Sequence, residues 1–288
     1  MTKITTSELF YSPQGEGPLT GRNQAWVRVA KCNFECQGFN NPNNVDTTTN
    51  KGLGFDPTQY KTLQELPPIA VGCDSIYSWD DRFKHMWTTW ELEDLADALV
   101  ALTPYGRWRQ IGLTCTGGEP TARMKAIVEL IQLPQFNNLL TLTFETNCSV
   151  PLKDDHMRAL QDWMWYDDER QIVWSNSPKL RYTGEPWDKA INPAVALQQR
   201  KVEGSYQYFK FVVEHTEESF QEVEEAMNIY YDAGIDEETE IWVMPCGGLL
   251  EQQQQNHHDR LVTEMAMARG WNVSLRAHIY VFGNEIGT

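Results

Sequence analysis

The stretch QIGLTCTGGEPTARMKAIVEL, residues 110–130, contains one complete copy of the unit from which we expect the fold to be built. Its first six residues, QIGLTC, predict a β-strand, and the turn TGGEP (116–120) follows directly. Pro120 suits the first turn of a helix, which the pattern predicts over 121–132. A strand, a turn and a helix in this order are typical of a βα unit in a mostly parallel sheet.

The same alternation continues along the chain from about residue 25. Strands are predicted for AWVRVA (25–30), QIGLTC (110–115), LTLTFET (140–146), QIVWS (171–175), YFKFVV (208–213), EIWVMP (240–245) and VSLRAHIYVF (273–282). Helices are predicted near 90–103, 121–132, 154–165, 189–201, 216–233 and 256–269. This near-strict alternation indicates an α/β fold that forms a barrel or partial barrel, with a doubly wound sheet as the alternative.

Length and composition limit the classes of protein to consider. With 288 residues, 41% of them hydrophobic, the chain can bury one large core, so we expect a single domain over 1–288. Its net charge of -16 disfavours nucleic acid as a direct partner. Neither a signal peptide nor a run of apolar residues long enough for a membrane span is evident, so we expect a soluble, cytoplasmic protein without a membrane partner.

Two polar stretches interrupt the pattern. Residues 37–72 are rich in Asn, Thr, Gly and Pro and are bounded by Cys36 and Cys73, which predicts an inserted loop or subdomain. The stretch EQQQQNHHD (251–259) is expected to cap or precede the last long helix, and its adjacent histidines, 257 and 258, are given no role.

Three of the six cysteines form a candidate metal-binding set. Cys32 and Cys36 stand four apart in CNFEC after the first predicted strand, and Cys73 follows the insertion. Three thiolates at the mouth of a βα-barrel can hold three irons of a [4Fe-4S] cluster and leave the fourth open. Buried free thiols or a structural zinc site are the alternatives. We interpret Cys115, Cys148 and Cys246 as core or near-site thiols rather than as ligands of a second cluster.

The TGGEP turn supports the cluster interpretation. Its two glycines would let a ligand approach the backbone closely, and the Glu119 carboxylate could accept hydrogen bonds from a ligand ammonium group. A simple strand-to-helix turn with Pro120 at the helix start is the alternative.

A series of short motifs then gives the chain its family resemblance. In order along nearly the whole sequence, it resembles the 7-carboxy-7-deazaguanine synthases of the radical S-adenosylmethionine (SAM) superfamily. The matching motifs are SPQGEGPLTG (12–21), WVRVAKCNFEC (26–36), CDSIYSW (73–79), TGGEP (116–120), FETN (144–147), SPK (177–179), FKFVV (209–213), VMP (243–245) and RAHIYVFG (276–283). The QGEG motif, the Arg in the next strand and the CD pair are more specific than the motifs of the superfamily.

The resemblance implies a fold, a reaction and a set of partners. The fold would be a partial (β/α)-type radical SAM barrel with an insertion between the second and third cluster cysteines. The reaction would convert 6-carboxy-5,6,7,8-tetrahydropterin to 7-carboxy-7-deazaguanine with loss of ammonia, in 7-deazapurine (queuosine-type) biosynthesis. It would use a [4Fe-4S] cluster, SAM and Mg²⁺, an external flavodoxin-like one-electron reductant and a homodimeric assembly.

The resemblance also carries site residues over, motif by motif. The cluster ligands would be Cys32, Cys36 and Cys73, and the Mg²⁺ ligand would be Ser75, where the family usually has Thr. The SAM site would comprise Gly72, Asp74, Gly118, Glu119, Ser177 and Lys179. The substrate site would comprise Pro13, Gln14, Gly15, Glu16, Arg28, Thr116 and His278. No side chain is assigned as a catalytic acid or base, and Ser75 could instead only cap a turn.

The chain departs from the family pattern in two places, and other functions stay open. About thirty-six residues separate Cys36 from Cys73, and NEIGT follows Gly283, so a contact from a terminal carboxylate to the substrate is not carried over. Eleven tryptophans are expected in the core or in a subunit interface. The alternative functions are another radical SAM enzyme, either an activase or a synthase acting on a different pterin-like substrate, and a non-catalytic metal-binding protein on the same scaffold.

Overall fold

One open β-sheet organises the chain. A computed structural model describes residues 2–108, 110–247 and 258–288. Within these residues the sheet has nine strands in the order β3-β1-β2-β4-β5-β6-β7-β8-β9. The strands are β1 (Lys3–Pro13), β2 (Asn23–Val29), β3 (Thr88–Glu91), β4 (Gly112–Gly117), β5 (Thr141–Thr146), β6 (Gln171–Asn176), β7 (Tyr206–Val213), β8 (Ile241–Pro245) and β9 (Asn272–Val273).

The pairing of the strands decides between the predicted architectures. β1 runs antiparallel to β2 and β3, and every pair from β2 to β9 is parallel. The parallel strands follow one another in chain order without the reversal that defines a doubly wound sheet. The prediction of a partial barrel is therefore confirmed, and the doubly wound alternative is wrong.

Helices cross over between the parallel strands. The helices are α1 (Asn50–Leu53), α2 (Leu92–Leu102), α3 (Met124–Leu130), α4 (Asp154–Trp165), α5 (Trp187–Ala190), α6 (Pro193–Gln199), α7 (Glu217–Asp232), α8 (His258–Ala268) and α9 (Ala277–Phe282). The helix predicted over 189–201 is divided, because Pro193 starts a new helix that Asn192 caps by accepting from the Val195 N–H.

The core lies between the sheet and the apolar faces of these helices. Phe144 of β5 stacks on Trp174 of β6 with ring centroids 4.7 Å apart, and Phe209 of β7 meets Tyr230 of α7 at 4.4 Å. Each fully buried side chain of this size contributes about 1.5–3 kcal/mol through loss of apolar contact with water. The packing fixes the carboxyl ends of β4 to β8 relative to one another, which is where the site lies.

The last predicted strand is wrong beyond its first residue. Within VSLRAHIYVF (273–282) only Val273 belongs to β9, and residues 277–282 form helix α9. The apolar, β-branched composition favours a strand, but the chain turns after β9 so that the Ala277 N–H donates to the Gly15 carbonyl over 2.9 Å. Strands β1 and β3 were not predicted at all.

The insertion at 37–72 contains α1, short 3₁₀ turns and its own apolar cluster. Leu63 and Leu66 pack with Ile76, Tyr77 and Phe83, which follow Cys73, and Ile286 packs against the same cluster. The prediction for EQQQQNHHD falls outside the described residues as far as residue 257, and His258 begins α8. Among the described residues, no helix has both the length and the apolar character that a membrane crossing needs.

Candidate functional site

A large cavity opens at the carboxyl ends of the parallel strands. Its volume is about 350 Å³, and the ends of β4 to β8 form its floor. Thr116 contributes from β4, Glu145 from β5, Ser175 from β6, Lys210 from β7 and Met244 from β8. This edge is where α/β sheets and barrels build their ligand sites.

The three predicted cluster cysteines meet on one wall of this cavity. Cys32, Cys36 and Cys73 line it together and pack in one small cluster with Phe34, Phe39 and Ala190. All three are free thiols. Burial raises the pKa of Cys32 to about 12 and of Cys73 to about 11, and it raises the pKa of Cys36 well above its ordinary value.

A compact site for a single metal ion is not seen in the described part of the chain. In the described residues, no group of three or more His, Cys, Asp or Glu side chains is close enough to hold one metal ion. The remaining thiols lie in the core or near the site, as predicted. Cys115 and Cys148 are buried in the core, and Cys246 lines the cavity.

The TGGEP turn lies directly against the loop that carries Cys32. A Cβ at Gly117 would collide with the backbone of Val29, and one at Gly118 would collide with the carbonyl of Lys31. The Glu119 N–H donates to the Lys31 carbonyl over 3.0 Å. The glycines are therefore required by contacts within the chain at this turn, whereas the sequence pattern was interpreted as allowing a ligand to approach.

Glu119 does not face the cavity as expected. Its side chain is 0% exposed, and its carboxylate accepts from the Thr121 N–H, the hydroxyls of Thr121 and Thr146, and the Asn147 N–H over 2.6–3.0 Å. The contact with a ligand ammonium group stays a prediction. The carboxylate joins the residue that follows TGGEP to the end of β5 and the residue after it, because its partners are Thr121, Thr146 and Asn147.

The predicted SAM residues other than Glu119 line the cavity near the cysteines. The Lys179 ammonium donates to the Ser177 hydroxyl over 3.1 Å and lies 5.9 Å from the centroid of the Phe39 ring. Gly72 adopts φ 80°, a conformation that favours glycine, and its N–H donates to the Phe39 carbonyl over 2.7 Å. These contacts bring the two ends of the insertion together beside Cys73.

The predicted substrate residues surround the other half of the cavity. The Gln14 side-chain amide donates to Glu145 over 3.0 Å, and the Thr116 hydroxyl donates to the other oxygen of the same carboxylate over 2.9 Å. A Cβ at Gly15 would collide with the His278 ring, so the glycine allows α9 to close this wall. Burial lowers the pKa of His278, which keeps its ring neutral near pH 7.

Arg28 is held rigidly at the centre of this half. Its Nε donates to Glu8 over 3.2 Å, and its Nη1 donates to the Ser75 hydroxyl over 3.2 Å. The rings of Phe10 and Tyr77 each lie 5.6 Å from its guanidinium carbon. Ion pairing and two aromatic contacts therefore fix the direction of the guanidinium.

Several cavity residues were missed by sequence reasoning. Lys210 forms an ion pair with Glu16, and the Nη1 atom of Arg276 lies 3.7 Å from Asp74. The Nε and Nη2 atoms of Arg276 have no hydrogen-bond partner among the described residues. Glu145 and Tyr77 also line the cavity, and Glu8 is the ion-pair partner of Arg28. A charged residue inside an otherwise apolar strand, as in YFKFVV and LTLTFET, was the available signal, because such a charge is rarely buried without a function or partner.

Comparisons with known proteins fit this geometry. No family model matches the chain. A crystal structure of QueE from Escherichia coli superposes with a TM-score of 0.54 over 96% of this chain and 95% of that one, at 16% identity. The sheet thus has the same partial-barrel fold as that structure.

Curated relatives make the resemblance more specific than the fold alone does. The chain is similar to the 7-carboxy-7-deazaguanine synthases, the name that all seven matching curated proteins carry. The relative from Rhodopirellula baltica is 27% identical over 308 residues, which cover 100% of this chain and 90% of that protein. The relative from Methanothermobacter thermautotrophicus is 28% identical over 160 residues, covering 56% of this chain and about half, 47%, of that protein.

Proposed function

We propose that this chain is a carbon–nitrogen lyase, a radical SAM 7-carboxy-7-deazaguanine synthase. It would contract the ring of 6-carboxy-5,6,7,8-tetrahydropterin and release ammonia, on the way to queuosine-type 7-deazapurines. The observation that carries the proposal is that Cys32, Cys36 and Cys73 line the same cavity as Arg28 and Gln14. The shared name of the relatives supports the choice of substrate.

The donor set fits the proposed cofactor. The buried thiol of Cys36 and the half-buried thiols of Cys32 and Cys73 would bind three irons and leave the fourth for the amino and carboxylate groups of SAM. When bound, the cluster supplies the electron that cleaves SAM, and SAM supplies the radical that abstracts hydrogen from the substrate. Binding of iron would have to displace the protons of the three thiols, because burial raises their pKa. We assign the whole of 1–288 to this one domain and place 37–72 as its insertion beside the cluster.

The SAM pole would be formed by charge and backbone. Lys179, beside Ser177, offers a cation for the SAM carboxylate. The backbone at Gly72, Asp74 and Gly118 offers donors and acceptors along the same wall. Glu119 would act indirectly, because it holds the turn that contains Gly118.

The substrate pole would be formed by fixed polar groups. Arg28 presents its planar guanidinium to the substrate carboxylate. Gln14 and Thr116, both anchored by Glu145, present donors and acceptors to the edge of the pterin, with the backbone of Pro13 and Gly15 beside them. The Glu16–Lys210 pair and the neutral His278 ring would complete this half of the cavity and exclude water from it.

A magnesium ion would bind at Ser75. The Ser75 hydroxyl lies between Arg28 and the Asp74 carboxylate, each 3.2 Å away, and it faces the cavity. A hard cation bound there would retain most of its waters and would be shared with the substrate carboxylate. Equal turnover by thoroughly chelated enzyme and by enzyme with added magnesium would contradict this assignment.

The proposed partners are a second copy of the chain and an external one-electron reductant. Exposed apolar side chains on and near α8 and α9, namely Met267, Leu275, Tyr280 and Val281, support a homodimer contact. The reductant would approach the cysteine wall, beside the insertion. We place the reaction in the cytoplasm, where thiols stay reduced.

Mass spectrometry of an anaerobic reaction tests the proposal. The mixture contains the reconstituted enzyme, SAM, dithionite, magnesium and 6-carboxytetrahydropterin, and the expected product is 7-carboxy-7-deazaguanine. Cys73→Ala should abolish the product, while Cys115→Ala, which changes a buried core thiol, should retain it. Cleavage of SAM without a deazapurine would point to an activase, and stoichiometric zinc without iron would point to a non-catalytic protein; either result would overturn the proposal.

A further inference from the structure

The loop that carries Cys32 and Cys36 is held at its second cysteine by a carboxylate from a distant part of the chain. The backbone N–H groups of Glu35 and Cys36 both donate to one oxygen of Glu185, over 2.8 and 2.7 Å. Glu185 lies between β6 and α5, 150 residues beyond Glu35. No motif of the sequence analysis included it.

The local backbone explains why Cys36 needs such a partner. Cys36 has φ 49°, in the left-handed region that L residues with side chains rarely adopt. A conformation of this kind persists where the surrounding structure fixes it. The next residues are fixed as well, since the Gly38 N–H donates to the Thr183 carbonyl over 3.0 Å and a Cβ at Gly38 would collide with the Tyr182 carbonyl.

The other cysteine of the loop is fixed by different groups. The Asn147 side-chain amide donates to the Asn33 side-chain oxygen over 2.9 Å and lies 3.9 Å from the Cys32 sulfur. The Asn33 amide in turn donates to the Ser149 hydroxyl over 2.8 Å. Cys32 is therefore held by neutral amides and hydroxyls, and Cys36 is held by a carboxylate.

This difference matters because charge and hydrogen bonds set the reduction potential of an iron–sulfur cluster. The Glu185 carboxylate accepts the N–H groups of residues 35 and 36, so those groups do not donate to a cluster sulfur. It also adds a negative charge beside the Cys36 ligand. Both effects disfavour the reduced cluster, which carries one more electron.

We propose that Glu185 is a positioning residue for Cys36 that also lowers the reduction potential of the cluster, an inference that rests on the proposed function. Two substitutions separate the two effects. Glu185→Gln retains an acceptor oxygen of the same shape and removes the charge, whereas Glu185→Ala removes both. Asp188→Asn is the matched control, because Asp188 is an exposed carboxylate on the adjacent helix α5 whose side chain makes no hydrogen bond or ion pair with the loop among the described residues.

The experiment compares reconstituted wild type and the three variants. Circular dichroism checks folding, iron and sulfide analysis gives the cluster content, and electron paramagnetic resonance during a dithionite titration with mediator dyes gives the midpoint potential. We expect Glu185→Gln to hold as much iron as the wild type and to titrate at a more positive potential. Glu185→Ala should release iron to a chelator on the order of tenfold faster, since two hydrogen bonds to a charged group are lost. Asp188→Asn should match the wild type in both measurements.

The results distinguish the proposed function from the role of Glu185. A wild-type protein that takes up no cluster overturns the proposed function and, with it, the role of Glu185. A wild type that binds a normal cluster, together with Glu185 variants that match it in potential and in iron release, overturns the role of Glu185 alone. Equal shifts for Glu185→Gln and Asp188→Asn would also overturn it, because the effect would then belong to general surface charge.

Discussion

Replacing Arg28 with lysine should separate substrate recognition from folding. Glu8, the partner of Arg28, has a side chain only 4% exposed, and removing the cation from such a buried pair costs about 3–5 kcal/mol of folding stability. Arg28→Lys keeps a cation opposite Glu8 and so limits that cost. It does lose the planar fork that Phe10, Tyr77 and Ser75 hold in one direction.

The size of the expected effect follows from the lost contact. A hydrogen bond between charged groups contributes about 1.5–3 kcal/mol, so losing one from the substrate carboxylate should lower kcat/KM roughly 10- to 150-fold. Anaerobic steady-state kinetics with varied 6-carboxytetrahydropterin measure this ratio, and equilibrium binding of SAM should stay unchanged. Arg22→Lys, at an exposed turn, is the control. A folded Arg28→Lys protein with wild-type kcat/KM would refute the role given to Arg28.

Three further predictions concern buried charges around the cavity. Glu119→Ala removes the acceptor of four hydrogen bonds. The free energy of unfolding, measured by urea titration, should therefore fall by roughly 2–4 kcal/mol. A loss below about 1 kcal/mol would contradict the proposed link between the TGGEP turn and β5. Burial opposes ionisation of Glu16, but the charge of Lys210 and that of the His278 ring, once acid has protonated it, lower the Glu16 pKa to about 2. This pairing stabilises the fold above the ordinary carboxyl pKa and is lost as the pH falls toward 2. The Tm of the wild type should therefore fall more steeply between about pH 5 and pH 2 than that of Glu16→Gln, and parallel Tm curves would count against the pair. Arg276 is 7% exposed, and its Nε and Nη2 atoms have no partner among the described residues. Arg276→Met should therefore leave the Tm unchanged or higher, while kcat/KM falls about tenfold or more. A lower Tm with full activity would show that Arg276 serves stability and not the reaction.

The strongest sequence signals were those with a short, fixed spacing. The βα unit around TGGEP, the helix over 154–165 and the cysteine pair in CNFEC depend on neighbouring residues. Helix α4 has the predicted bounds, and the two cysteines pack together, whereas β4 and α3 start at 112 and 124 instead of the predicted 110 and 121. The meeting of Cys73 with that pair across the insertion followed from the motif order of a family and not from any local pattern. Local patterning was thus sufficient for the units of the fold, while resemblance supplied the long-range contact.

The failures have physical causes that a local reading does not contain. The inward side of β1 carries Thr6, Glu8 and Ser12, so the strand lacks the apolar alternation by which strands are recognised. Residues 277–282 have the composition of a strand, but contact with Gly15 selects a helix. The direction of the Glu119 carboxylate depends on Thr146 and Asn147, which a reading of TGGEP alone does not include.

The contact between Gly15 and His278 joins segments from opposite ends of the sequence. All three proposed cluster cysteines occur before residue 74, whereas the wall in contact with Gly15 comes from residues 276–278. A fragment shortened before α9 would keep every proposed sulfur ligand but leave the cavity open to bulk water on one side. Metal loading and product formation would then separate in the same polypeptide, so iron content alone is a poor measure of whether a preparation is intact.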